Sequence, residues 1–462
     1  MLVILRDFFS QMLISFQFSN FLSFRDETNF SMVASRERQH NERVTLIPSL
    51  DLKVLPAAAI YGGNGSGKSN FYYALEFAKG LIVKSKVSED DSIDIEPFRL
   101  DETSETQPSK FSFQILVGDQ VFKYSFAVSR NRVWSESLEI LKGEKTTLVY
   151  SRSAEKEKDK WDLNYFEKLN LPKEEAEFVK FKARDTLPNQ LFLNAVRGRK
   201  IQITDSLTGW FKQTLTLIDP HTTFQMTEFT RKESDRLRVY CGEALNKAHT
   251  GIDKIAGEEV SFDAIDLPRG LKAMIKERIK DKEVYEIPSP DRKRYVVFLE
   301  SGKLKCLKLV TFHHASNGKA VQFDVSEESE GTQRLIDLLP AFHELLSSNS
   351  QKVFVIDELD RSLHTLLTRS LLESYLASRG SNSKGQLIFT THDGLLLDQS
   401  LFRRDEFWFI DKDEGGASTL SALSDFKDVR HDKDIRKSYL VGRFGGIPII
   451  RLLPRALGGV EK

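Results

Sequence analysis

Residues 60 to 70 read Ile-Tyr-Gly-Gly-Asn-Gly-Ser-Gly-Lys-Ser-Asn. Gly62, Gly67, Lys68 and Ser69 fall at the fixed places of the phosphate-loop pattern G-x-x-x-x-G-K-[ST]. Glycines let a backbone curl until its N–H groups face a phosphate. A following helix adds the positive end of its dipole. Gly62, Gly63, Asn64, Gly65, Ser66, Gly67, Lys68, Ser69 and Asn70 are therefore the candidate phosphate cradle. Lys68 would reach the β- and γ-phosphates, and Ser69 would ligate Mg²⁺. The context fits. The apolar run Val54 to Ile60 reads as a buried strand, and Asn70 to Ala78 reads as a helix.

A second string could do chemistry. Val353-Phe354-Val355-Ile356 is a short apolar run that ends in Asp357 and Glu358. A parallel strand buried on both faces reads this way, and ligands gather at the carboxyl ends of such strands. Asp357 is a candidate metal ligand. Glu358 is a candidate for orienting or deprotonating an attacking water. A third string, Ser329-Glu330-Gly331-Thr332-Gln333, opens a predicted helix. Its serine and backbone N–H groups could grip a phosphate, although alone it reads as an ordinary N-cap. A fourth, Leu387 to Asp393, is a strand that closes on His392.

These residues need a scaffold. The chain has 462 residues, enough for two or three domains or for one large domain with an insertion. Lys+Arg and Asp+Glu both count 67, so any nucleic-acid contact needs a local patch, not overall charge. The two cysteines, Cys241 and Cys306, lie far apart in sequence. They suggest neither a disulfide framework nor a metal cluster, and a reducing cytoplasm fits them. No apolar run is long enough to span a membrane.

Along the chain, residues 1 to 11 read as an extension and Met12 as the functional start. Residues 12 to 150 form a first lobe, with a short meander leading to the phosphate loop. Phe111 to Ile115 and Val121 to Phe126 alternate around Gly118-Asp119, which predicts a hairpin. Residues 151 to 285 are charge-dense with helical spacing of apolar residues, and read as an inserted, mostly helical region. Residues 286 to 435 return to strand patterns and carry the later motifs. Residues 436 to 462 form a tail. Asp411 and Asp413 read as a hairpin turn.

The four motifs in this order resemble an ABC-type ATPase head of the SMC and RecF kind, an α/β fold with a mixed β-sheet core. A finer resemblance is to the OLD-like and AbiL/Rlo/PARIS-type ATPases of bacterial anti-phage operons. It runs through Asn20 to Asp26, Pro97 to Asp101, Glu328 to Arg334, Asp357 to His364, and Tyr439 to Pro448. The resemblance implies ATP and Mg²⁺ as cofactors and His392 as the switch histidine that reads the γ-phosphate. It implies that Ser329, Gly331 and Gln333 meet nucleotide held by another copy, and that Asp360 lies in the loop at that interface. It further implies a homodimer or higher homo-oligomer, a phage-derived trigger, and a separate effector. That effector would be a TOPRIM-type nuclease, and a separate polypeptide, because the 70 residues after His392 leave no room for such a fold here. Pro97-Phe98-Arg99-Leu100 stands where the family places a glutamine loop, without a clear glutamine. A RecF-like DNA-repair ATPase, with nucleic acid as ligand, is the alternative. A nuclease using Asp411 and Asp413 is a third reading. Lys68→Ala should abolish nucleotide binding in equilibrium dialysis; retained binding would remove the phosphate loop from the argument.

Overall fold

The computed structural model describes residues 10–84, 88, 90–155, 158–168, 172–197, 201–222, 235–279, 284–288, 293–426 and 434–445. Among these, no helix is long and apolar enough to cross a membrane. Residues 1 to 9 and 446 to 462, which include most of the expected extension and much of the tail, lie outside the described residues.

At the centre is a six-stranded mixed sheet. Its order is Leu215–Ile218, Val353–Ile356, Gln386–Thr391, Ala57–Tyr61, Phe407–Lys412 and Ser418–Ala422. The first five strands are parallel and the last is antiparallel. Period-two alternation feeds two separate cores. Ala58, Ile60, Val353, Val355, Ile388 and Ile410 face one cluster. Ala57, Ala59, Tyr61, Phe354, Ile356, Leu387, Phe389, Phe407 and Phe409 face the other. Both faces of the inner strands are covered, so Val353–Ile356 and Ala57–Tyr61 are continuous apolar runs.

The first core is closed by the phosphate-loop helix, Lys68–Val83, beneath a seven-stranded antiparallel sheet. That sheet runs Lys158–Asp162, Lys145–Glu155, Arg132–Lys142, Gln120–Ser129, Ser109–Val117, Gln11–Ser19 and Thr28–Ser31. The expected hairpin is present between Ser109–Val117 and Gln120–Ser129. Phe71 of the helix packs edge-on or tilted to Phe16, Phe18 and Phe30, with centroids 6.1, 6.1 and 5.2 Å away. The second core is closed by the helices Glu330–Leu346, Thr365–Ala377 and Asp235–Lys247. A smaller antiparallel sheet, built on Ile252–Val260, Lys303–His314, Arg294–Glu300 and Val284–Pro288 with Ala320–Asp324 at Lys303–His314, has its own core.

The stretch from 151 to 285 enters all three layers. Its helices Asn164–Lys168, Lys173–Asp185 and Gln202–Gly209 follow one another between the strands Lys158–Asp162 and Leu215–Ile218. Leu215–Ile218 is the edge strand of the central sheet, parallel to Val353–Ile356. Phe407–Lys412 and Ser418–Ala422 form a hairpin, and Asp413 Oδ1 accepts from the Ala417 N–H in its turn at 2.7 Å.

Gln386 joins the layers. It is fully buried; Oε1 accepts from the Leu13 N–H at 2.7 Å, while Nε2 donates to the Leu13 and Leu55 carbonyls at 3.0 and 3.2 Å. Gln386→Leu keeps the bulk but strands those groups. It should lower unfolding stability by about 2–4 kcal/mol in urea titration, since each buried unsatisfied group costs about 1–3 kcal/mol.

Candidate active site

The phosphate loop leaves the carboxyl end of Ala57–Tyr61 and enters the helix at Lys68. Gly67 has φ 116°, and a Cβ there would meet Ser418 Oγ at 2.5 Å and Ser23 Oγ at 2.8 Å. Ser418 Oγ donates to the Ser66 carbonyl at 2.6 Å and lies 2.7 Å from Ser23 Oγ, which accepts from Asn70 Nδ2 at 2.8 Å. Two serines far away in sequence therefore brace the loop from behind. Asn64 and Gly65 are exposed at its tip. Lys68 is 6 % exposed, and its ammonium donates to the Gly62 and Gly63 carbonyls at 2.7 and 3.1 Å. Burial lowers its pKa, while Asp357, Glu358 and Asp360 oppose that shift.

Asp357 stands at the end of its strand, 1 % exposed. Burial raises its pKa; hydrogen bonds from Thr390 and Ser69 and the charge of Lys68 oppose it. Thr390 Oγ1 donates to Asp357 Oδ1 at 2.6 Å and accepts the Glu358 N–H at 2.8 Å. Glu358 has φ 48°, a left-handed conformation rare outside glycine and frequent at functional sites. The Leu359 N–H donates to the Thr390 carbonyl at 3.1 Å, so one threonine fixes the whole turn. Lys68, Ser69, Asp357 and Thr390 thus form one linked cluster.

Ser329 is exposed at the N-terminus of Glu330–Leu346, its Oγ accepting from the Thr332 N–H at 3.2 Å. Gly331 lies against the loop after Glu358; a Cβ there would sit 2.6 Å from the Ser362 carbonyl oxygen. Gln333 turns back, Nε2 donating to the Glu328 carbonyl at 2.8 Å. His392 is exposed, and its Nε2 lies 3.8 Å from Asp360 Oδ2. The Asp360 side chain is 8 % exposed and turned into its own chain.

Three participants went unread in the sequence. Thr390 is one; a hydroxyl on the strand before His392 was its only signal. Arg334 is another. It is 5 % exposed and donates to the Asp219 and Asp357 carbonyls at 3.3 and 3.4 Å, tying the Ser329 helix to two strand ends. Asp337, on the same helix, holds Arg294 of the smaller sheet in a two-pronged ion pair. The third is Asp219 itself, at the end of Leu215–Ile218. Its signal, a short apolar run closed by an acid, matches that of Val353 to Asp357. Burial pushes the Asp219 pKa up, but bonds from Thr222 and the His221 N–H outweigh it and hold the pKa low.

Residues 57–398, most of the chain, match the family model described as "AAA domain, putative AbiEii toxin, Type IV TA system". The chain belongs to that family of ATPase domains. No curated relative matches it. Three solved structures overlay weakly. The SMC head domain from Thermotoga maritima is 12% identical, with 89% of this chain and 98% of that one covered, at a TM-score of 0.36. The SmcHead bound to the C-winged helix domain of ScpA gives 13%, 90% and 99%, at 0.36. The recombination mediator RecF with ATP gives 13%, 90% and 100%, at 0.34. At that level the overlays add nothing to the assignment.

Ser69 and Asp357 fit Mg²⁺. Both are hard oxygen donors, and Ser69 lies near enough to Asp357 to pull its pKa down. Among the described residues no group of three or more His, Cys, Asp or Glu forms a metal cage. Thr390→Val preserves shape and removes the hydroxyl. Magnesium–nucleotide affinity or turnover should fall about 10- to 100-fold, the usual cost of losing a group that orients a metal ligand. An unchanged magnesium titration would show that Thr390 does not hold Asp357 in place.

Proposed function

We propose that this chain binds and hydrolyses ATP as the sensor subunit of a bacterial anti-phage system. In this reading two copies close head to head around ATP and control a separate effector, a TOPRIM-type nuclease, in response to a phage-derived trigger. One observation carries the dimer. Lys68, Ser69 and Asp357 are recessed and clustered, whereas Ser329 stands exposed at a helix end in the same chain. An exposed helix N-terminus on another copy can supply a second set of donors to a phosphate held by Lys68. The family description, with its toxin and toxin–antitoxin terms, supports a defence role.

The roles follow from chemistry. Backbone N–H groups of Gly63 to Ser69 and the Lys68 ammonium bind phosphate oxygens. Ser69 and Asp357 hold Mg²⁺, which supplies charge neutralisation when bound. Glu358, fixed by Thr390, orients the attacking water and takes its proton. His392 contacts the γ-phosphate, so its position reports whether that group is present. ATP binds the closed pair better than the open one, and that difference drives assembly. Hydrolysis removes it.

Glu358→Gln should bind ATP yet lose turnover, accumulating a dimer in light scattering. Hydrolysis at the parental rate would remove Glu358 from its role. Ser329→Arg should abolish turnover while leaving single-chain nucleotide affinity within about threefold, because the helix end is not needed to fill the chain's own phosphate loop. Equal loss of both would argue against the sandwich. The Glu358→Gln dimer, used as bait in native lysate, should retain a nuclease subunit; capture of none would refute the effector.

A further inference from the structure

Two buried polar atoms at the carboxyl end of the central sheet lack a partner among the described residues: the Tyr61 hydroxyl and Oδ1 of Asp360. Tyr61 is fully buried. It closes the phosphate-loop strand directly before Gly62, and its register partner is Thr391, the residue before His392. Tyr61 and His392 therefore stand at the ends of neighbouring strands. Asp360 reaches the same place from the loop after the acidic strand. Its other oxygen, Oδ2, lies 3.8 Å from His392 Nε2, within ion-pair range but beyond a hydrogen bond.

The surroundings make the tyrosine a dedicated donor. The rings of Phe407, Phe409 and Tyr439 pack 6.1, 6.0 and 5.9 Å from its own ring and exclude water. Burial, and next the charge of Asp360, hold its pKa well above the ordinary tyrosine value, so the hydroxyl keeps its proton. A buried donor and a buried acceptor that both go unpaired are each costly. Pairing them would relieve both at once.

We propose that Tyr61 is a positioning residue for ATP hydrolysis: its hydroxyl donates to Asp360 Oδ1, and Asp360 so fixed holds His392 through Oδ2. Tyr61 touches neither nucleotide nor water. It acts through Asp360 on the direction of the His392 ring. Its backbone runs straight into the phosphate loop at Gly62, so the loop and the histidine share one rigid aromatic anchor. This inference rests on the hydrolytic reading above and names a further residue of that same site.

Tyr61→Phe keeps the ring and its packing and removes only the hydroxyl. In steady-state hydrolysis by the full chain, kcat should fall about tenfold, the scale of one positioning hydrogen bond, with KM for ATP unchanged within about twofold. Asp360→Asn should show the same split. Because the residues act as one unit, Tyr61→Phe combined with His392→Ala should be no slower than His392→Ala alone. A Tyr61→Phe chain with parental kcat would overturn the proposal. So would a raised KM at unchanged kcat, or losses that multiply in the double variant. A parental chain that hydrolyses no ATP would instead refute the hydrolytic reading, and this inference with it.

Discussion

A carboxylate taken almost wholly out of water sets the terms for this site. Asp357 is 1 % exposed, and an ionised carboxylate so placed is tolerable only when hydrogen bonds and an opposite charge replace the lost water. Thr390 and Ser69 supply the bonds and Lys68 the charge. Thr390 lies on one strand, Ser69 and Lys68 follow a second, and Asp357 itself ends a third. The central sheet must therefore bring three carboxyl ends together, and the parallel arrangement of Val353–Ile356, Gln386–Thr391 and Ala57–Tyr61 does so. The strand that ends at His392 lies between the other two. That spacing leaves room between Lys68 and Asp357 and puts the Thr390 hydroxyl against the acid.

Burial on both faces of the sheet follows from the same need. A half-wet sheet would let water reach the Asp357 carboxylate and weaken every interaction around it. The chain seals one face with an aromatic-rich antiparallel lobe and the other with three helices. The helix that carries Ser329 is held from within by Arg334, which spans the ends of two strands. One turn on, Asp337 fastens it to Arg294 of the smaller sheet. A shift of that helix would move the Asp357 carbonyl and the smaller sheet together.

Much of the core was legible in the chain. The phosphate loop, the acidic strand and the strand before His392 are each marked by a short apolar run that stops at polar or glycine residues, and each run holds a strand, although Pro56 makes the first begin at Ala57 and not at Val54. The helix from Glu330 was legible in its cap and spacing. The braces were not. Ser23 and Ser418 are ordinary serines in sequence, and only folding brings them against Gly67. Leu215–Ile218 is four residues long and lies in a stretch whose apolar spacing reads as helical, so periodicity could not assign it to the central sheet.

Sequence alone determined the local chemistry: a loop that can curl around phosphate, an acid pair at the end of a buried strand, a serine at a helix start. Those depend on neighbouring residues, because backbone freedom, capping and strand burial are set within a few positions. Tertiary structure alone decided which strand lies beside which, that Thr390 serves Asp357 and Glu358 at once, and that Asp360 turns inward toward His392. Sheet order is set by how two alternating faces bury against separate cores, a choice made between residues hundreds of positions apart.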